Sequence, residues 1–116
     1  MVKTISLVVP CFNEEETLPL FYKALQQVKP ALRGAVLEYW FVNDGSRDNT
    51  LAELRQLQQK DPQQVHYISF SRNFGKEAAL YAGLQATTGD YVAVMDADLQ
   101  DPPEQLTEML AGIEDE

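Results

Sequence analysis

Four short apolar runs, Ile5–Val9, Leu37–Val42, Val65–Phe70 and Tyr91–Met95, recur along the chain, and each is followed by residues with helical spacing. The runs are too short for helices and rich in β-branched or aromatic residues, so each is predicted to be a strand. After the first, Leu18, Phe21, Tyr22, Leu25 and Val28 form an i, i+3, i+4, i+7 stripe, with Asn13 as the expected N-cap and Glu16 three residues on. After the second come Leu51, Leu54 and Leu57, with Thr50 and Glu53 spaced as a capping box. The third leads into Gly75–Thr88, whose stripe of Ala79, Ala82, Gly83 and Ala86 is small enough for a helix pressed onto a sheet; Gly89 ends it. The fourth leads to Asp101-Pro102-Pro103-Glu104 and then Leu106, Met109, Leu110 and Ile113, which reads as an N-cap, a first-turn proline and an amphipathic helix. An order of βαβαβαβα with short connections implies parallel strands, right-handed crossovers and an α/β sheet with helices on both faces. At 116 residues this is one domain or a piece of one.

Charge narrows the partners. The net charge is −9, and a surface so acidic repels nucleic acid phosphates over most of its area, so no nucleic acid partner is expected. All nine Lys and Arg lie at or before Lys76, and residues 77–116 carry acids without a single Lys or Arg. The one cysteine, Cys11, cannot form an internal disulfide and reads as a packing residue in a reduced compartment. No stretch approaches the ~18 apolar residues of a membrane span, so the chain as it stands reads as soluble and cytoplasmic.

In parallel α/β sheets ligands bind beyond the carboxyl ends of the strands. Here those ends read Pro10-Cys11-Phe12-Asn13-Glu14, Asn43-Asp44-Gly45-Ser46, Ser71-Arg72-Asn73-Phe74-Gly75-Lys76 and Asp96-Ala97-Asp98-Leu99-Gln100-Asp101. Carboxylates from three ends and two cations from the other suit a metal-bound phosphate ester better than an apolar ligand. Asp96 and Asp98 are the candidate catalytic pair. One can bind a hard ion such as Mg²⁺ or Mn²⁺ while the other holds sugar or ribose hydroxyls, although Asp-x-Asp is also common in solvated acidic turns. Asp44-Gly45 is equally a common turn dipeptide, but a helix follows it where a hairpin would need a second strand. Glu14, Glu15 and Glu16 favour a helix N-terminus through its dipole, and only Glu14 lies nearest the cleft. Arg72 and Lys76 flank Gly75 at a helix start, which is either a natural anion site or a surface pair.

Several classes drop out. Gly75-Lys76-Glu77 lacks the earlier glycine and the following Ser or Thr of a Walker loop, and no Gly-x-Gly-x-x-Gly follows the first strand, which excludes P-loop ATPases, kinases and dinucleotide-binding dehydrogenases. His66 is the sole histidine and falls inside the third strand, so neither a Ser-His-Asp triad nor a histidine-rich zinc site can form.

Taken in order, Val8-Val9-Pro10-Cys11-Phe12-Asn13-Glu14-Glu15, Val42-Asn43-Asp44-Gly45-Ser46-Arg47-Asp48, Ser71-Arg72-Asn73-Phe74-Gly75-Lys76-Glu77 and Met95-Asp96-Ala97-Asp98-Leu99-Gln100-Asp101-Pro102-Pro103-Glu104 closely resemble family 2 glycosyltransferases. The branch is that of polyprenyl-phosphate sugar synthases, with dolichol-phosphate mannose synthases and bactoprenol (undecaprenyl-phosphate) glucosyltransferases. The Arg-Asn-Phe-Gly-Lys-Glu and Asp-Leu-Gln-Asp-Pro runs are most similar to the bactoprenol enzymes. The resemblance implies the Rossmann-like βαβ nucleotide-binding half of a glycosyltransferase type A (GT-A) fold. It also implies that Pro10, Phe12 and Glu14 line the nucleotide pocket, that Val42 and Asp44 hold base and ribose, and that Asp96 and Ala97 contact the nucleotide-sugar. Asp98 and Gln100 are the implied ligands of Mg²⁺ or Mn²⁺, and Arg72 and Lys76, from their place at a helix start rather than from the resemblance, are added as candidate substrate-binding cations. Phe12 stands where many relatives have Tyr, which keeps a stacking ring and loses a hydroxyl.

The reaction so implied moves glucose from UDP-glucose to undecaprenyl phosphate with inversion. GDP-mannose-dependent polyprenyl-phosphate mannosyl transfer and aminoarabinose transfer are the alternatives within the family, and a non-catalytic nucleotide-binding or receiver-like α/β module is the alternative outside it. A phosphate acceptor is already anionic near neutral pH, so no catalytic base is demanded. It does demand a cationic site, and residues 77–116 offer no Lys or Arg for one. Residues 1–116 are therefore expected to be the nucleotide-sugar-binding part of a longer enzyme, truncated at its C-terminus and inactive alone. The full-length enzyme is expected at the cytoplasmic face of the bacterial inner membrane, held there by later segments. A homo-oligomer is compatible with this reading.

Overall fold

The computed structural model describes residues 3–28 and 35–97. Strands β1 (Lys3–Cys11), β2 (Ala35–Asn43), β3 (Val65–Ser69) and β4 (Tyr91–Val94) alternate with helices α1 (Leu18–Val28), α2 (Thr50–Lys60) and α3 (Lys76–Ala86). The strands form one sheet in the order β3-β2-β1-β4, and every pairing is parallel. The helix proposed after Asp101 lies outside the described residues.

Sheet order follows from how each strand is buried. Val8, Val9, Phe41 and Val42 in the central strands are wholly inaccessible, as expected of strands covered on both faces. One face carries Leu7, Val9, Leu37, Tyr39 and Phe41 against Leu18, Phe21, Leu25 and Leu54 of α1 and α2. Phe21 meets Phe41 edge-on at 6.5 Å and Tyr22 meets Tyr39 likewise at 6.3 Å. Each fully buried Leu or Phe here contributes about 2 kcal/mol relative to exposure. The α1 stripe is buried at every position expected of it.

From β1 the chain steps outward to β2 and β3, then returns to the far side of β1 for β4. A right-handed crossover that reverses direction must put its helix on the opposite face, and α3 accordingly packs against the other side of β1 and β2. Contact there is close. A Cβ added at Gly83 would lie 2.5 Å from Val8 Cγ1 and 3.2 Å from Val42 Cγ2. On an exposed helix Gly→Ala gains about 1 kcal/mol, but Val8 is a short branched side chain fixed in the sheet, and overpacking costs about 1–3 kcal/mol. Gly83→Ala is therefore expected to lower stability by about 1–2 kcal/mol, read as an earlier urea midpoint; a later midpoint would show that α3 can ride off the sheet.

Two helix starts differ from expectation. Asn13 has φ +54° and does not cap α1, which begins at Leu18. Instead its amide donates to Ser46 Oγ and its Oδ1 accepts from the Arg47 amide, both at 2.9 Å. Nor do Thr50 and Glu53 form a capping box: α2 is preceded by Asn49 with no side-chain cap, while Thr50 Oγ1 accepts from the Glu14 amide at 2.8 Å and donates to Asp48 Oδ1. The physical reason is shared. Ser, Thr, Asn and Asp bond whichever backbone N–H lacks a partner, and at adjacent strand ends those belong to the neighbouring loop.

Candidate active site

Reversal of strand order between β1 and β4 leaves a crevice at their carboxyl ends, the usual ligand position in an open α/β sheet. A cavity of about 210 Å³ lies there, lined by Pro10, Cys11, Phe12, Glu14, Asp44, Lys76, Asp96 and Ala97. It is smaller than the ~300–1,000 Å³ of a whole small-molecule pocket and suits one part of a nucleotide.

Each wall is held by backbone chemistry. The Asp44 amide donates to the Cys11 carbonyl at 2.9 Å, tying the end of β2 to the end of β1. Asn43 accepts from the Ser46 amide and donates to Ser69 Oγ, both at 3.1 Å. Gly45 has φ +65°, and a Cβ there would lie 2.1 Å from the Arg72 carbonyl carbon, so the β2 and β3 loops touch backbone to backbone. Asp44, 4% exposed, accepts from the Phe74 amide at 2.8 Å, the Gly75 amide at 3.1 Å and Asn73 Nδ2 at 3.1 Å. Its carboxylate thus fixes the loop that delivers Lys76.

Lys76 Nζ lies 2.9 Å from Asp96 Oδ1, with the two side chains 60% and 35% exposed. Glu14 lines the cavity and its Oε2 accepts from Thr17 Oγ1 at 2.7 Å. Phe12 is 43% exposed, which leaves a ring face available for stacking. Burial, and then the charge of Glu14, pushes the Cys11 thiol far above its ordinary range, so Cys11 is a neutral wall residue and no nucleophile.

The cavity therefore gathers Pro10, Phe12, Glu14, Asp44, Lys76, Asp96 and Ala97. Two other expected residues stand apart. Val42 is fully buried with Cγ2 toward Gly83 of α3, and Arg72 is an exposed residue lying 4.7 Å over the Phe74 ring. Asp98 and Gln100 lie outside the described residues. Cys11, read as a packing residue, is buried as expected and also lines the cavity; Asn73 was not anticipated as a partner of Asp44, because it sits in the third strand-end motif and nothing in sequence links the two. Among the described residues, no three His, Cys, Asp or Glu side chains group as a metal site, and no helix is long and apolar enough to cross a membrane.

The family model described as "Glycosyl transferase family 2" matches residues 6–116. The chain belongs to glycosyl transferase family 2. Relatives in this family include the bactoprenol glucosyl transferase of Shigella phage SfX, 50% identical over 106 residues, which are 91% of this chain and 34% of that protein. The putative glycosyltransferase CsbB of Bacillus subtilis is 42% identical over 113 residues, 96% of this chain and 33% of the relative. The chain thus spans about a third of the length of the curated relatives it matches.

Among solved structures, S. aureus TarS 1-349 superposes with a TM-score of 0.74 at 22% identity, covering 97% of this chain and 32% of that one. The mannosyltransferase PcManGT from Pyrobaculum calidifontis, solved with GDP-Man and Mn²⁺, gives 0.67 at 24% identity over 88% and 34% of the two chains. These likenesses bear on the fold: the chain shares with these glycosyltransferases of GT-A fold a parallel four-stranded sheet with helices around it.

Proposed function

We propose that this chain is the nucleotide-sugar-binding part of an inverting glycosyltransferase that moves a sugar, glucose from UDP-glucose in the favoured reading, to a polyprenyl phosphate. The observation that carries it is the crevice between β1 and β4, where Phe12, Glu14, Asp44, Lys76 and Asp96 converge on one cavity. An exposed ring for a base, carboxylates for hydroxyls or a cation, and an ammonium for phosphate are the groups a nucleoside diphosphate sugar needs. The identity to bactoprenol glucosyl transferases supports the lipid phosphate as acceptor and glucose as the sugar. With such an acceptor the reaction belongs at a membrane surface, the cytoplasmic face of the bacterial inner membrane in this reading, with acceptor-binding and membrane-holding segments in the remaining part of a longer protein.

The donor set fits a divalent ion. Asp96 presents partly exposed hard oxygens at the cavity, and Mg²⁺ or Mn²⁺ takes one or two carboxylates with substrate phosphates; Asp98 and Gln100 are the further ligands proposed. When bound, such an ion supplies Lewis-acid neutralisation of the leaving diphosphate. Asp96 and Glu14 would orient the donor, and Lys76 would meet the diphosphate. The acceptor phosphate attacks the anomeric carbon without a general base because it is already ionised. Receiver-like modules lose their case with the family assignment.

Calorimetric titration with UDP and GDP, each with and without Mn²⁺, tests the reading. UDP is expected to bind more tightly than GDP, Mn²⁺ to strengthen binding, and Asp98→Ala to weaken UDP binding in Mn²⁺ by roughly tenfold, the loss of one charged contact. Mn²⁺ dependence that survives Asp98→Ala would remove Asp98 from the metal site. Absence of binding by either nucleotide would remove the donor site.

A further inference from the structure

Lys76 and Asp96 are on different elements, one opening α3 and the other following β4, and both line the cavity with a 2.9 Å contact between them. Both side chains are substantially exposed, and ion pairs of that kind contribute little net stability, so this one is cheaply broken. The backbone beneath Lys76 is another matter. Asp44 grips the Asn73 side chain and the Phe74 and Gly75 amides, and Gly45 abuts the Arg72 backbone. A swing of Lys76 is therefore a side-chain rotation about a fixed root.

Resting on the donor-site reading above, we propose that Lys76 is an exchangeable counter-cation. In the ligand-free chain it neutralises Asp96. When Asp96 exchanges that ammonium for a divalent ion, Lys76 turns to the diphosphate of the nucleoside diphosphate. Charge dictates the direction: a carboxylate gains more from a doubly charged ion than from an ammonium at similar distance, and an ammonium gains a charge-assisted hydrogen bond from phosphate oxygen. The exchange couples the two ligands, and linkage makes that coupling reciprocal.

Lys76→Met separates this from simpler roles. Mn²⁺ alone, followed by electron paramagnetic resonance of the free ion, is expected to bind roughly threefold more tightly, because its competitor for Asp96 is gone. UDP in saturating Mn²⁺ is expected to bind roughly tenfold more weakly, because a phosphate partner is gone. Lys76→Arg, which keeps the charge, should lie closer to wild type in both measurements. Opposite signs from one substitution support the exchange. Both affinities falling would make Lys76 a structural support; a change in only one would make it a counter-ion or a phosphate ligand alone, and each of these outcomes overturns the proposal. Wild-type protein that binds Mn²⁺ but neither UDP nor GDP would overturn the donor-site reading and the exchange with it, whereas wild-type nucleotide binding with an unaltered Lys76→Met variant overturns the exchange and leaves the donor site standing.

Discussion

Gly45→Ala is expected to destabilise the chain by about 3–5 kcal/mol, the range in which backbone strain and steric exclusion act together. The backbone contribution arises because Gly45 sits at φ +65°, where an L side chain costs about 1–2 kcal/mol. The larger contribution is exclusion. An added Cβ would stand 2.1 Å from the Arg72 carbonyl carbon and 2.3 Å from the Asn73 nitrogen, and backbone atoms cannot rotate aside as a side-chain tip can. Moving residues 72–73 away would break the bonds from Asn73 Nδ2 and the Phe74 and Gly75 amides to Asp44. Gly75 is the internal control: it too has positive φ, but at φ +107°, ψ 157° it lies in a glycine-only region, and a Cβ there meets nothing within 4 Å, so Gly75→Ala should show only the backbone cost, about 1–3 kcal/mol. Urea unfolding of the two variants checks the contrast. Equal losses would mean that the close approach of the β2 and β3 loops contributes nothing.

That contrast also marks where the sequence stops being legible. Short apolar runs located β1 to β4 and period-3.6 patterns located α1 to α3, because burial on a parallel sheet writes itself into local composition; the α1 stripe Leu18, Phe21, Tyr22, Leu25 and Val28 is buried throughout. The small stripe at Ala79 and Gly83 likewise announced close packing, and both residues are buried. Pro10, Phe12, Glu14, Asp44, Lys76, Asp96 and Ala97 could be grouped beforehand because a parallel α/β sheet collects its strand ends at one edge. What could not be read is which polar atom meets which. Asn13 and Thr50 looked like local caps, yet with Ser46 and Asp48 they stitch the β1 loop to the β2 loop across more than thirty positions of sequence. Asp-Gly is a common turn dipeptide and the helix that follows argued for a site instead, but neither reading shows that the geometry of Asp44-Gly45 is set by the Arg72 backbone, which is remote in sequence. Arg72 carries the charge of an anion ligand, but in this structure its guanidinium lies over Phe74, and charge alone could not reveal that stacking.

Asp44 is where the expected role and the observed contacts diverge most usefully, so its substitution has the second large effect. The resemblance gives it base and ribose to hold. Its observed oxygens are already engaged by Phe74 N at 2.8 Å, Gly75 N at 3.1 Å and Asn73 Nδ2 at 3.1 Å, in a side chain that is 4% exposed. Hydrogen bonds to a charged acceptor contribute about 1.5–3 kcal/mol, and Asp44→Ala removes several at once, though water can reach part of the exposed Phe74 segment, so the expected loss is about 2–4 kcal/mol. Asp44→Asn is the sharper test. It keeps the shape, but one oxygen becomes an NH₂ group facing an N–H donor, so a loss of about 1–3 kcal/mol is expected even without ligand. Nucleotide affinity should fall in parallel, since the loop that carries Lys76 loses its anchor. If Asp44 served only as a ligand to base or ribose, Asp44→Asn would weaken nucleotide binding and leave the urea midpoint of the free protein where it was. A coupled fall in both quantities assigns Asp44 to holding the β3–α3 loop, with any contact to the nucleotide made by a carboxylate that the fold has already fixed in place.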